Sequence, residues 1–436
     1  MNSQTEDICQ GLINRLKSVI ISEDFQARHR QRAQDFTRKR CLSFVIVVLF
    51  LLNLLKRAAQ DELDEFFKML DGDDIAARTV TKSAFFQARK KLKYEAFIGL
   101  NDEQVQYFYT YFEPATWHGF RLMAVDGSMS TLPDTPQIRE HFGVWHPAAG
   151  GECPKARVSQ MFDVLNRVTL HAIIAPKKVG ERATAEMHFA RLTARDLVLL
   201  DQGYPAFWLF ALIRSKDAHF CARMTLEGWK VVERFVASGR REQIVTLSPG
   251  YQARRACQTR GLPITPLTLR LLRIELDNGG VEVLATSLVD RQLYHYAVFK
   301  DLYHYRWPVE EDYKTMKSRL EVENWSGKSV LAVHQDFHAK VFTKNLTAIL
   351  AQPAQKVVEQ QSQDKRYTYQ INMTNAFSKM KDTVVLLFQR TDIHLLLNRL
   401  WQLMIKTIEP IRPGRSYPRK KRLRPKRFSM CYKPIR

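Results

Sequence analysis

The sequence lacks closely spaced cysteines and any long apolar run. Its six cysteines are scattered without a CxxC pair, a pattern that argues against structural disulfides and a zinc site. The longest apolar stretch, FVIVVLFLL at 44–52, is shorter than the roughly 20 residues that a membrane-spanning helix needs, and we interpret it as a buried core helix. The first residues, MNSQTEDICQ, lack the basic-then-apolar order of a secretion signal. These absences predict a cytoplasmic protein.

Acidic residues are scarce relative to basic ones. Asp and Glu total 45 against 67 Lys and Arg, which gives a formal net charge of +22 in 436 residues. Such a surplus predicts a polyanionic partner, because basic side chains displace the counterions that condense on phosphates. Nucleic acid is the first expectation and an anionic membrane the second. Hydrophobic residues at 45% argue against general disorder.

The spacing of apolar residues divides the chain into regions. Residues 5–112 have helical spacing, and from 117 onward strands and helices alternate, with a hairpin that turns near Asn166, which indicates an α/β domain. Between 225 and 290, β-like runs such as WKVVERFVA, LTLRLLRIEL and VEVLATSLV predict a β-rich insertion. Helical spacing returns at about 293–404. The tail beyond it has many cations and no acid, which is typical of a segment that contacts nucleic acid or nothing.

The segment TVTKSAFFQARKKL at 79–92 predicts a capped helix in the N-terminal region. Thr81 or Ser83 can accept hydrogen bonds from its first backbone N–H groups. Three cations occupy its last turn, where the helix dipole favours positive charge: Arg89, Lys90 and Lys91. Two interpretations stay open, a DNA-contacting helix of a helix-turn-helix and an amphipathic core helix with a solvated basic face.

Two aspartates follow apolar strands. Asp126 ends the run MAVDG and Asp201 ends VLLDQG. A strand of the VLL type is buried on both faces, so the Asp at its carboxyl end stands where an α/β sheet opens into a crevice. The alternative is that each Asp caps the following turn. Two such aspartates in one domain favour a functional site.

The stretch YHYRWPVEEDYKTMK, 303–317, predicts one face of a polar helix. Four side chains share that face at helical spacing: Tyr303, Arg306, Glu310 and Lys317. On this arrangement Glu310 lies at the edge of the buried face and Glu311 in water. A plain ion-pair ladder is the alternative interpretation. Pro308 conflicts with an unbroken helix, because its ring clashes with a carbonyl one turn earlier. This predicts that the helix starts or kinks at Pro308, which leaves Glu310 and Lys317 two turns apart but leaves the placement of Tyr303 and Arg306 open.

The spacing of those four residues resembles the Tyr-Arg-Glu-Lys signature of the insertion-sequence-four family of DDE transposases. The motif DGSMSTLPDTP at Asp126 resembles the family's first acidic motif, and DQGY at Asp201 resembles its second. The long separation between Asp201 and Glu310 is similar to the family's β-rich insertion. Together the matching motifs cover about residues 120–328.

The resemblance implies an α/β fold, with a ribonuclease-H-like catalytic domain that carries a β-rich insertion, a helical N-terminal domain before it and a helical, basic C-terminal region after it. The implied boundaries are 1–115 for the helical N-terminal DNA-binding domain, 116–224 for the first part of the catalytic core, 225–290 for the insertion, 291–345 for the second part of the core with the Glu310 helix, 346–410 for a helical region of dimerisation or DNA contact, and 411–436 for the basic tail.

By the same resemblance Asp126, Asp201 and Glu310 are catalytic and hold metal. Three converging carboxylates repel one another unless cations lie between them, and oxygen ligands favour Mg²⁺ or Mn²⁺ over zinc. Two such ions are implied, which suits in-line attack on phosphorus. The implied DNA ligands on this segment are Tyr303, Arg306, Trp307 and Lys317. Arg306 and Lys317 would grip phosphates, and the indole would hold a distorted DNA end or simply pack in the protein.

The implied function is transposition. The protein would cut double-stranded DNA at terminal inverted repeats and join the 3′ ends to target DNA, as a homodimer in the synaptic complex and with no membrane partner. Two alternatives remain open at this point. One is an inactive or domesticated descendant that only binds DNA, and the other is a metal-dependent DNA resolvase or nuclease.

Overall fold

The computed structural model of the protein describes residues 3–146, 151–276 and 279–412. It has two compact units. The first contains the described residues of Met1–Pro114, Ser130–Ala156 and Lys314–Arg436, and the second contains those of Ala115–Met129 and Arg157–Tyr313. The fold is mixed α/β, as the sequence predicts. The predicted basic tail, 411–436, lies almost entirely outside the described residues.

The helices of the described residues are, in chain order, α1 (Ser3–Ile21), α2 (Glu23–His29), α3 (Phe44–Leu52), α4 (Ala59–Asp71), α5 (Lys82–Arg89), α6 (Glu95–Tyr111), α7 (Pro136–Phe142), α8 (Glu181–Phe189), α9 (Phe207–Arg214), α10 (Lys230–Ala237), α11 (Tyr251–Gln258), α12 (Val298–His304), α13 (Pro308–Ser318), α14 (Val330–Gln361), α15 (Met373–Gln389) and α16 (His394–Lys406). The strands are β1 (Arg121–Thr131), β2 (Val144–Trp145), β3 (Cys153–Asp163), β4 (Val168–Pro176), β5 (Asp196–Leu200), β6 (His219–Met224), β7 (Glu242–Leu247), β8 (Leu267–Glu275), β9 (Val281–Thr286), β10 (Tyr369–Ile371) and β11 (Ile408–Pro410).

The first unit is largely helical and is built around aromatic side chains. The apolar run 44–52 forms the buried helix α3, as predicted, and Ser43 caps it by accepting a hydrogen bond from the N–H of Ile46. Phe50 of α3 meets Phe66 of α4 and Phe85 of α5 edge to face, at ring distances of 5.2 and 4.6 Å. Among the described residues no helix is both long and apolar enough to span a bilayer.

A nine-stranded mixed sheet carries the two aspartates. Its strand order is β2-β3-β1-β5-β6-β9-β8-β7, and β4 also pairs with β3. Strands β1, β5 and β6 run parallel, whereas β7, β8 and β9 continue the sheet as antiparallel strands. The strand DLVLL (β5) is buried at every position, because a central parallel strand is covered on both faces.

The region 225–290 contains both strands and helices. LTLRLLRIEL and VEVLATSLV contain β8 and β9, as predicted, but WKVVERFVA contains the helix α10, so its interpretation as a strand is wrong. Val232 and Phe235 are the buried residues of α10. Their separation of three positions places both on one helical face, a period that the β-like composition of the run obscured.

Pro308 divides the segment that carries the four-residue signature. Helix α12 ends at His304, a turn follows, and α13 begins at Pro308. Pro is well tolerated at the first position of a helix, because the N–H that it lacks would have no partner within the helix there. The placement of all four residues on one continuous helix is therefore wrong, whereas the predicted start of a helix at Pro308, with Glu310 and Lys317 about two turns apart on it, is confirmed.

Candidate active site

The pairing of β1 with β5 places the two aspartates side by side. The parallel register matches Ala124 with Leu199 and Val125 with Leu200, so the next residues on the two strands are Asp126 and Asp201. Strand β1 was expected to end at Asp126 but continues to Thr131. It continues because β3 still pairs with it beyond that point: the N–H of Leu132 donates to the carbonyl of Pro154.

Asp201 lies at the carboxyl end of β5 and faces a cation. Its Oδ1 is 3.4 Å from Nη2 of Arg223, and the same guanidinium donates to Oε1 of Glu282 at 2.7 Å. Oδ1 is buried and has no hydrogen-bond partner among the described residues. A buried carboxylate oxygen without a hydrogen bond is costly, and such groups are frequent at functional sites.

Glu310 comes from the first turn of α13 and pairs with Arg306. Nη2 of Arg306 donates to Oε1 of Glu310 at 2.7 Å. The arginine is 8% exposed, whereas the glutamate is half-buried and its neighbour Glu311 is exposed. The predicted difference in burial between the two glutamates is therefore confirmed.

The pKa of Asp126 depends on the charges of Arg306, Glu310 and Asp201. Burial raises the pKa of Asp126 to about 6, against the lowering effects of the Gly127 N–H and of Arg306. The charges of Glu310 and Asp201 raise that pKa further. The second unit therefore brings the three predicted catalytic acids and Arg306 within electrostatic reach of one another.

The donor chemistry of this cluster fits a divalent cation. Carboxylate oxygens are the ligands that Mg²⁺ and Mn²⁺ prefer, and the buried Oδ1 of Asp201 is an acceptor that a cation would satisfy. Within the described ranges, no three His, Cys, Asp or Glu side chains converge closely enough to form a metal cluster. In this arrangement Glu310 is paired with Arg306.

The remaining signature residues occupy different surroundings. The Tyr303 hydroxyl donates to the carbonyl of Leu200 at 3.4 Å, directly before Asp201, and burial raises the pKa of Tyr303. Trp307 is 42% exposed. Lys317 belongs to the first unit, where burial lowers its pKa against the raising effect of Glu323.

The basic end of α5 is partly buried, which corrects one predicted DNA contact. Thr81 caps this helix, as one of the two predicted caps. Arg89 is 3% exposed, and its guanidinium donates to Gln335, Ser326 and Asp336, each at 2.9 Å. It is held inside the first unit and is not presented to a ligand. Lys90 is exposed and Lys91 half-buried, so their predicted contacts with DNA stay predictions.

Two donors close to Asp126 had not been predicted. The hydroxyls of Tyr313 and Ser159 donate to the backbone carbonyl of Asp126 at 2.8 and 3.2 Å. Tyr313 is buried and lies one helical turn after Glu310. Helical spacing in the sequence is therefore a signal that could have indicated it. Ser159 has no such signal, because a hydroxyl on β3 reveals its partner only once β3 pairs with β1.

Comparisons with known proteins find one matching family model and two curated relatives. Residues 117–346 match the family model described as "Transposase DDE domain", a span that contains the three acids. The chain is 25% identical over 243 residues to "Transposase InsG for insertion sequence element IS4" from Escherichia coli (strain K12), covering 56% of this chain and 54% of that protein. InsZ of the same organism is 28% identical over 148 residues, covering 33% of this chain and 47% of InsZ.

The chain thus spans about half the length of the curated relatives it matches. Among solved structures, a piggyBac transposase synaptic complex with hairpin DNA aligns with a TM-score of 0.46 and 8% identity, over 94% of this chain and 87% of that chain.

Proposed function

The chain belongs to the transposase DDE domain family and is of the IS4 type, and on that premise we propose that it is a DNA transposase. It cuts DNA at the terminal inverted repeats of its insertion sequence and joins the freed 3′ ends to target DNA. One observation carries the proposal: the parallel register of β1 and β5 places Asp126 directly beside Asp201. Strand ends of this kind are where α/β sheets form their sites.

The sheet supports the ribonuclease-H-like core that the sequence resemblance implies. An antiparallel hairpin, β3 and β4, lies on one side of β1, and the parallel strands β5 and β6 lie on the other. Helix α13 brings Glu310 to the same cluster from a segment far along the chain. The sheet extension β7 to β9 lies between the second acid and the third in sequence.

In this proposal the acids Asp126, Asp201 and Glu310 hold two Mg²⁺ or Mn²⁺ ions. When bound, such ions activate a water or a 3′-hydroxyl and stabilise the leaving oxygen of an in-line displacement. In cleavage, water forms a bond to a phosphorus as the bond from that phosphorus to the 3′ oxygen breaks, which leaves a 3′-hydroxyl and a 5′-phosphate. In joining, that 3′-hydroxyl forms a bond to a phosphorus of the target and displaces the target strand's own 3′ oxygen.

The cationic and aromatic residues bind DNA in this proposal. Arg306 neutralises Glu310 in the described structure, and its planar guanidinium suits a phosphate oxygen pair. Lys317 contributes a point charge further along α13. Trp307 is exposed and offers an aromatic face to a displaced base, an interaction worth roughly 1–3 kcal/mol. A homodimer provides one active site for each transposon end.

Cleavage of DNA that carries the element's own ends tests the proposal. We expect nicking in Mg²⁺ and none in a chelator. Glu310→Gln should abolish nicking and retain end binding, and Glu311→Gln is the matched control because it changes the same chemical group one position away, on an exposed side chain. Loss of nicking in Glu311→Gln but not in Glu310→Gln would contradict the assignment. Binding without cleavage by the unaltered protein would favour a DNA-binding descendant instead.

A further inference from the structure

The backbone carbonyl of Asp126 is held by two side chains from different elements. Tyr313 of α13 donates to it at 2.8 Å and Ser159 of β3 donates at 3.2 Å. A carbonyl oxygen has two lone pairs, so these donors fill its acceptor capacity. The N–H of Gly127 donates to Oδ1 of the Asp126 side chain at 2.8 Å. The peptide that follows Asp126 is therefore held both at its carbonyl and at its N–H.

A chain of two histidines continues behind Ser159. Nε2 of His188 lies 3.0 Å from the Ser159 hydroxyl oxygen, and Nδ1 of His188 lies 3.0 Å from Nδ1 of His171. A carbonyl cannot donate, so Ser159 gives its single hydrogen to Asp126 and accepts one from His188. His188 must then be protonated at Nε2 and bare at Nδ1, where it accepts the Nδ1 hydrogen of His171. The hydrogen bonds run in one direction, toward Asp126.

The surroundings keep both imidazoles neutral, as this direction requires. His188 and Ser159 are fully buried. Burial lowers the pKa of His171 to about 4, and Arg191 adds to that lowering. Burial likewise holds the pKa of His188 well below its ordinary value. Burying Ser159 and His188 costs free energy unless their polar atoms are paired, and this direction of donation pairs the hydroxyl of Ser159 and both ring nitrogens of His188.

We propose that Ser159, His188 and His171 are positioning residues that orient the Asp126 carboxylate for a divalent cation. The inference rests on the proposed function, in which Asp126 is a metal ligand. Losing a hydrogen-bond partner of the ligating group itself typically weakens metal binding by about 10- to 100-fold. Ser159 contacts the Asp126 backbone and the two histidines lie behind Ser159, so their effect passes through that backbone and should fall at the lower end of this range.

The test measures Mn²⁺ binding by calorimetry together with the Mg²⁺ dependence of end cleavage. Ser159→Ala removes the donor, and we expect about tenfold weaker Mn²⁺ binding with end binding unchanged. Ser159→Thr keeps a hydroxyl and should restore the affinity. Thr286→Val is the matched control, because Thr286 also donates a buried hydroxyl to a carbonyl, that of Phe220, in the same sheet. The Thr286→Val variant should be less stable than the wild type but should bind Mn²⁺ with unchanged affinity.

A second measurement needs no variant. Nitrogen-15 NMR of histidine-labelled protein should show His188 protonated at Nε2 and His171 at Nδ1. The opposite tautomer of His188, or wild-type Mn²⁺ affinity in Ser159→Ala, overturns the inference. If Ser159→Ala weakens Mn²⁺ binding while the unaltered protein never cuts its ends, the positioning role stands and the proposed function fails. If the unaltered protein binds no Mn²⁺, the inference fails together with the metal site.

Discussion

The buried ion pair between Arg89 and Asp336 predicts that Arg89→Ala lowers stability rather than DNA affinity alone. The two side chains are 3% and 4% exposed and meet at 2.9 Å. Asp336 also accepts the N–H and the hydroxyl of Ser326, at 2.6 and 2.7 Å. Arg89 and the start of α14 lie far apart in sequence, so this cluster ties two distant segments of the first unit together.

The size of the effect follows from what the variant leaves behind. Removing one partner of a buried pair costs about 3–5 kcal/mol, because the other charge stays buried without compensation. Asp336 would keep its two hydrogen bonds from Ser326, so we expect a loss near 3 kcal/mol, the lower end of that range. Lys90→Ala, at the exposed next position, should change the free energy of unfolding by no more than about 0.5 kcal/mol.

Urea unfolding followed by tryptophan fluorescence measures both changes, since the midpoint shifts with stability at a constant slope. The double variant Arg89→Met with Asp336→Asn should recover part of the loss, because neither charge then stays buried and the amide oxygen of Asn can still accept a hydrogen bond from Ser326. A normal midpoint in Arg89→Ala, combined with weakened end binding, would refute the structural role and return Arg89 to the DNA interface.

Three further changes test other parts of the structure. Gly327→Ala should destabilise by about 1–3 kcal/mol, since a Cβ there would lie 2.6 Å from Cβ of Ala332 and 3.0 Å from Nη1 of Arg89; thermal unfolding at the wild-type temperature would contradict this. Without metal, the raised pKa of Asp126 contributes stability that is fully present below about pH 4 and is lost as pH rises through about 6. The free energy of unfolding that Asp126→Asn gains over the wild type should therefore increase from about pH 4 to about pH 6. A gain that stays constant with pH would contradict this. Arg306→Ala should impair joining or end binding more than nicking. Separate nicking and joining assays measure this, and equal losses in the two assays would contradict it.

Local patterns predicted the elements whose own residues decide their structure. The run 44–52 forms a buried helix because nearly every side chain in it is apolar, and the hairpin turns at Asn166 because Asp163 accepts the N–H groups of Leu165 and Asn166. Pro308 was identified as a conflict, and the break it imposes lies where its missing N–H costs least. The prediction of a strand at residues 230–237 is wrong because Val and Phe suit strands by composition, whereas the spacing of Val232 and Phe235 suits a helix.

Contacts between distant segments could not be predicted from the sequence. The sequence around Arg89 predicts only a helix with a cation at its end. No residue near it in sequence indicates that Asp336 contacts it. The same limit applies to Ser159, whose partner is a backbone carbonyl on another strand. The sequence could indicate the three acids as candidates, because each lies in a motif with its own pattern, but it could not indicate that Ser159 donates to the Asp126 carbonyl.

The position of Asp126 and Asp201, two of the three acids that we propose to be catalytic, depends on the apolar residues before them more than on the acids themselves. Side chains alternate between the faces of a strand, so a slip of one residue between β1 and β5 would turn Asp126 and Asp201 to opposite faces of the sheet. The register is fixed by the buried runs that precede them, with Val125 paired to Leu200. A deletion within either run should therefore abolish metal binding even though all three acids remain. The packing of the sheet therefore sets the positions of Asp126 and Asp201. In our proposal, the hydrogen bonds to the Asp126 carbonyl then refine the orientation of its carboxylate.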